Sequence, residues 1–387
     1  MSGSAARTPV EARPVDATQT LLLRAALLDG AASLAAWEQW KTSLDGGPLP
    51  PGSHRLLPLL YRNLERLRVA DPRLARLRGV YRKSWYRNQT LLDQAAPVLR
   101  ALGAANIDTL LLSATALTVG HYRDDGVRPL SALELCVPAE QRSQALQALT
   151  RLGWRPAAAG ARAAELLAVA PRYLSLHHVL ELTRRGHRLH LSWHVCPMRR
   201  HRSADRTFWE AARRVALRGV ATRIPDAADL LVLTCVAGMR ADAAPWAPWA
   251  ADAAAVVRDR GAELDWQRVV ALARGLELAV SVRQALAFLA AAVDAPIPPD
   301  VQAALAALPA SSRERRERRA ASSPGLRAAL AGRLRQRLLH FQQSAEAPRP
   351  RSLARYLSEV WQFERPWRLP LVLAGRSLRR WRARVEP

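Results

Sequence analysis

Cysteine, lysine and long apolar runs are all scarce in this 387-residue chain. The three cysteines, Cys136, Cys196 and Cys235, lie far apart and form no Cys-x-x-Cys pair, so the expected setting is reduced and cytoplasmic. No apolar run approaches the roughly 18 residues of a membrane span. The longest candidates, such as Ala285 to Val293, stop well short, and no transmembrane segment is expected. The opening MSGSAARTPVEARPVDATQT lacks the apolar stretch of a signal peptide. Lys41 and Lys83 are the only lysines, so all but two of the 58 basic residues are arginine. The chain has no internal repeat.

What is present is apolar and basic. Hydrophobic residues make up 49% and aromatics 6%, the balance of an alanine- and leucine-rich, largely helical globular protein. The length suggests two or three domains. A formal net charge of +25 attracts polyanions such as nucleic acid, anionic lipid or acidic protein. Arginine in place of lysine, together with the alanine load, is equally the mark of a GC-rich genome.

Residues 107–138, IDTLLLSATALTVGHYRDDGVRPLSALELCVP, organise the rest. Thr109 to Leu112 is short enough for a buried strand and passes through small residues into a helical turn. A polar loop, Arg123 to Gly126, leads to a strand with Ala132, Glu134 and Cys136 on one face and Leu133, Leu135 and Val137 on the other. Before this stretch, a helix begins near Thr20 with Gly30 as C-cap, and a long helix runs over about Leu74 to Gly103. After it, Ala139 to Leu152 reads as a helix. Tyr173–Leu182 and Arg188–Val195 read as a hairpin whose second strand turns His190, Ser192 and His194 away from the buried face, which places His190 beside Glu134. Asp229–Met239, Trp249–Arg260, Asp265–Leu276 with Asp265 as N-cap, and Leu278–Val293 follow as helices. Pro296-Ile297-Pro298-Pro299 is a linker to a basic run, Arg313 to Arg319, to helices near 324–343 and 352–362, and to an arginine-rich end with Trp361, Trp367 and Trp381.

The segment His121-Tyr122-Arg123-Asp124-Asp125-Gly126-Val127-Arg128-Pro129-Leu130-Ser131 resembles the approach to the active site in a family of uncharacterised nucleotidyltransferases with a polymerase-β type of core. Pro58-Leu59-Leu60-Tyr61, Trp249-Ala250-Ala251-Asp252 and Leu264-Asp265-Trp266 extend the resemblance over about residues 20–300. It implies an α/β (α+β) fold: a small mixed-sheet nucleotidyltransferase core embedded in a mostly helical protein. The implied layout is a disordered N-terminus (1–18), a helical N-terminal region (19–103), the core (104–224), a helical C-terminal domain (225–299) and a basic helical tail (300–387). It also implies Mg²⁺-dependent transfer of a nucleoside monophosphate from an NTP to an acceptor. At the chemistry itself the chain departs from the family. Lys-Gly reads Ser113-Ala114, Asp-x-Asp reads Ala132-Leu133-Glu134, and the third aspartate reads His190. Hard Mg²⁺ wants oxygen ligands that bridge the triphosphate, and Glu134 alone remains as a metal carboxylate.

Each candidate residue has a catalytic and a structural reading. Glu134 holds a single metal or a ribose, or it is a residual acid that protonated His190 neutralises through a charged hydrogen bond. Ser113, Tyr122, Arg128 and Ser131 are substrate-binding candidates. Arg128 is the best placed, because its fork matches phosphate geometry, unless it pairs with Asp124 or Asp125. Ser113 is equally a helix cap. Asp124 and Asp125 read as solvated turn residues. His177, His178, His187, His190, His194 and His201 fit no tight zinc spacing. The chain is thus expected to be a catalytically impaired family member that binds a nucleotide or a protein partner. The alternatives are an active enzyme using Glu181, Asp124 or Asp125 beside Glu134, and a basic adaptor binding nucleic acid or an anionic membrane surface through residues 313–387.

Overall fold

The structure is a computed structural model that describes residues 16–44, 47, 49–157, 178–197, 199, 202–239, 248–315 and 317. Helix α1 (Ala17–Leu27) starts at Asp16, whose carboxylate accepts the Thr18 N–H, so helix begins inside the stretch expected to be disordered. Its C-cap is Leu28. Gly30, expected to close α1, opens α2 (Gly30–Leu44) instead with φ 52°, a left-handed corner that suits a residue without Cβ. After α3 (Leu57–Arg66), the long helix expected over Leu74–Gly103 is two helices, α4 (Arg73–Asp93) and α5 (Ala95–Ala104). Pro97 is the reason. It has no N–H for the Asp93 carbonyl, and its ring crowds that carbonyl, so the chain breaks at Gln94.

Strand β1 (Leu110–Leu111) and helix α6 (Ser113–Gly120) follow, then β2 (Leu133–Cys136), α7 (Arg142–Arg151) and β3 (Arg155–Pro156). Next come β4 (Val179–Arg184), β5 (His187–Ser192), α8 (Arg202–Ala211), β6 (Arg213–Leu217) and β7 (Val220–Ile224). The seven strands form one sheet in the order β3-β4-β5-β2-β1-β7-β6. It is mixed: β2 runs parallel to β5 and β1 parallel to β7, while β1 is antiparallel to β2. The β4–β5 hairpin turns on Arg185-Gly186, with φ 48° and 80°, a tighter turn than the five residues expected. Residues 158–177, including the expected start of that hairpin at Tyr173, lie outside the described residues.

The β6–β7 hairpin is an addition to the expected elements. Its turn, Arg218-Gly219 with φ 50° and 74°, repeats the Arg-Gly chemistry of the first hairpin. After β7 come α9 (Ala227–Gly238), α10 (Pro248–Arg260), α11 (Trp266–Gly275), α12 (Ala279–Val293) and α13 (Pro299–Ala307), which pack on one another and against α1 and α6. Asp265 caps α11 as expected, accepting the Arg268 N–H at 2.8 Å. The prolines at 296–299 make the corner between α12 and α13. Beyond them Ser311 and Glu314 cap one another, and the buried Glu314 also accepts the Val280 N–H at the start of α12. Residues 318–387 of the tail, with the helices expected near 324–343 and 352–362 and Trp361, Trp367 and Trp381, lie outside the described residues.

A continuous apolar core joins the helices to the sheet. Trp154, Phe208, Leu110, Leu133, Leu189 and Leu231 are fully buried within it, each contributing on the order of 1.5–3 kcal/mol from water exclusion. Among the described residues no helix is long and apolar enough to cross a membrane.

Candidate functional site

Glu134 sits where β2 meets the N-terminus of α6, and its polar groups are engaged there. Its carbonyl accepts the Leu112 N–H at 3.0 Å, its own N–H donates to Thr115 Oγ1 at 3.0 Å, and its Oε2 accepts the Ala114 N–H at 2.8 Å. The first amides of a helix have no partner inside the helix, and they carry its positive end. Those amides are where a phosphate would be received. Here the chain's own carboxylate takes one of them. Ser113 does not cap α6: the N-cap is Leu112, without a side-chain bond, and Ser113 is an exposed first helical residue with φ 45°. Backbone strain therefore falls on Ser113.

His190 lies directly across from Glu134 in the parallel β2–β5 pair, and Glu181 lies across from His190 on β4. The three share one sheet face. His190 Nδ1 is 3.9 Å from Glu134 Oε1, too far for the charged hydrogen bond expected between them. Glu181 is taken by Arg188, at 2.5 Å. A long contact between two partly exposed groups is worth little. His190→Ala is therefore expected to change the free energy of urea unfolding by less than about 1 kcal/mol; a loss of twice that would restore the charged pair.

Arg128 is held by an acid from the other half of the protein. Its Nε and Nη2 donate to both oxygens of Asp252 on α10, each at 2.8 Å, and Nη1 donates to the Pro129 carbonyl at 2.9 Å. Its partner is thus Asp252, neither Asp124 nor Asp125. Burial opposes the Arg128 charge, but Asp252 outweighs it and holds the guanidinium above its ordinary range. Tyr122 donates its hydroxyl to Asp252 Oδ1 at 3.0 Å, and burial, then the Asp252 charge, push the phenol well up. Ser131 is exposed two residues before β2.

The loop between α6 and β2 is pinned from α4. Asn88, fully buried, donates to the carbonyls of Asp125 and Arg128 and accepts the Leu130 N–H. Asp124 accepts from Tyr81 at 2.9 Å and from Arg62 at 2.7 Å, and Asp125 accepts from Gln89. They are tied loop acids rather than solvated ones. Burial, then Asp124, push the Tyr81 phenol up to about 12.

The donor set does not fit Mg²⁺. Of the three positions where the resemblance implies carboxylates, Ala132 has no ligand atom, His190 offers nitrogen, and Glu134 has one oxygen held by an amide. The substitutes weighed for them, Glu181, Asp124 and Asp125, hold arginine, tyrosine or amide partners of their own. Among the described residues no three of His, Cys, Asp and Glu gather as a metal site. His194 is oriented by Asp205 instead, at 2.6 Å, and His177 and His201 lie outside the described residues.

Sequence reading missed three residues of this constellation: Asn88, Asp252 and Arg55. Asp252 stood within a string that resembles the family, but nothing linear tied it to Arg128. Arg55, half-buried, lies close enough to Arg128, Glu134 and Asp252 to feel all three charges; burial first, then Arg128, lower its pKa.

A sequence model of the family described as "Uncharacterised nucleotidyltransferase" matches residues 52–294. A solved structure described as an antigenic nucleotidyltransferase-like protein from Paracoccidioides brasiliensis aligns with 58% of this chain and 96% of its own. The identity is 15% and the TM-score 0.31. No curated protein matches the chain. The family match spans more than half of the sequence and includes the β1–α6–β2 unit, Arg128 and Asp252, and the chain belongs to this nucleotidyltransferase family.

Proposed function

We propose that this chain is a family member that has given up metal-dependent nucleotidyl transfer and works as a binding protein. The observation that carries the reading is the Ala114 N–H bonded to Glu134 Oε2. A carboxylate that caps the phosphate-receiving helix end repels a triphosphate and has only one oxygen left for a metal. The pairing of Arg128 with Asp252 supports the same reading, because it leaves that guanidinium no fork for a phosphate.

Calorimetric titration of the full chain with ATP, GTP, CTP and UTP, with and without Mg²⁺ or Mn²⁺, is the test. No metal-dependent binding is expected, and Glu134→Gln is expected to leave the metal dependence absent. Metal-dependent binding that Glu134→Gln abolishes would overturn the proposal and revive an active enzyme with substituted ligands.

A further inference from the structure

We propose that Arg213 and Arg260, beside His121 and Asp259, form a binding site for a phosphate-class oxyanion, separate from the family site at Glu134. His121 follows the last residue of α6, Arg213 opens β6, and Asp259 and Arg260 end α10. Arg213 Nη2 reaches over Gly120, next to His121.

Asp259 serves too many cations. Its carboxylate is 3.1 Å from His121 Nδ1, 3.6 Å from Arg260 Nε and 3.7 Å from Arg123 Nη2. Only the first is within hydrogen-bond reach. Among the described residues Arg213 has no carboxylate within ion-pair distance; Asp226 and Asp259 act on it through charge alone, and Asp226 accepts the Ala228 N–H. Among the described residues four nitrogens are consequently buried without a hydrogen-bond partner. Arg213 Nε and Nη2 and Arg260 Nε are donors, whereas His121, whose pKa burial lowers and whose Nδ1 faces Asp259, keeps Nε2 as an acceptor.

Buried donors are nearly always satisfied, and a cluster of orphans calls for an absent water or ion. The C-terminal ends of α6 and α10 soften the positive potential here, yet they give none of the three guanidinium nitrogens an acceptor. An oxyanion with three or four acceptor oxygens supplies both missing charge and missing acceptors, and guanidinium groups suit it in geometry. Burial, followed by neighbouring positive charge, also lowers the pKa of Arg213, as expected of cations crowded without a counterion. The rim is open: the Arg260 side chain is 25% exposed and that of Arg123 is 90% exposed.

The test is a thermal-shift and calorimetric titration of the full chain with inorganic phosphate, against chloride at matched ionic strength. A saturable rise of a few degrees in Tm is expected. Arg213→Leu and Arg260→Gln should each weaken binding roughly tenfold or more, since each removes a charged donor. Without phosphate, Arg213→Leu should melt no lower than the wild type, because an unpaired buried cation is removed. If Arg213→Leu fails to fold, Arg260→Gln alone carries the comparison. Glu134→Gln should keep the shift. Competition by a short single-stranded oligonucleotide would identify a phosphodiester as the source, and lack of competition a free phosphate; both uphold the site. No saturable shift in the wild type, or an undiminished shift in Arg260→Gln, would overturn it. So would a shift lost in Glu134→Gln but retained in the arginine variants.

Discussion

Arg128→Ala is expected to lower the unfolding free energy by about 3–5 kcal/mol, because it strands the Asp252 carboxylate in the interior. Both side chains are nearly buried, at 12% and 6% exposure, and three hydrogen bonds join them. The pair links the α6–β2 loop to α10. Tyr122 would lose its acceptor's orientation at the same time. Removing both charges together, as in Arg128→Met with Asp252→Leu, should recover much of the loss, since an apolar replacement of a buried pair is often neutral. Denaturant titration of the two single variants and the double variant measures the coupling. A stability loss below about 1 kcal/mol in Arg128→Ala would place this arginine among surface ion pairs and free it for a ligand role.

Gly238→Ala should be the second severe change, at about 1–3 kcal/mol, the usual cost of overpacking a filled core. A Cβ on Gly238 would stand 2.2 Å from Cγ and Cδ2 of the Trp249 ring. The indole has nowhere to go: it is 8% exposed and packs against Phe288, with ring centroids 5.7 Å apart. Trp249 and Asp252 are three residues apart on α10, hence on neighbouring positions of one face. Pushing the tryptophan aside therefore shifts the acid that holds Arg128. A double-mutant cycle between Gly238→Ala and Arg128→Ala should show non-additivity beyond about 0.5 kcal/mol. Strict additivity would mean that α10 tolerates the extra methyl without moving Asp252.

These two changes touch what was hardest to read in the chain. The β1–α6–β2 order, the alternation along β5 and the Asp265 cap follow from periodicity and capping chemistry within a dozen residues, and all are present. Some elements left a legible signal that was passed over. Pro97 marks the α4–α5 break, and Arg218-Gly219 marks a hairpin as clearly as Arg185-Gly186 does. The acids of the α6–β2 loop were misjudged for a different reason. Solvation is the ordinary state of a turn aspartate, and only the fold brings Tyr81, Arg62 and Gln89 of earlier helices onto Asp124 and Asp125.

By itself the sequence determined the family and the strand–helix–strand unit at its centre, and it places alanine and histidine at positions 132 and 190, where the resemblance implies carboxylates. Each is a property of residue identity at short spacing. Only the tertiary structure decided what the remaining polar groups do. The Glu134 carboxylate turns to the Ala114 amide, Arg128 finds an acid 124 residues away, and three guanidinium nitrogens near Asp259 are left without acceptors. The physical reason is that a buried charge or donor takes whichever partner the packed chain brings within about 3 Å, and sequence distance carries no trace of that choice.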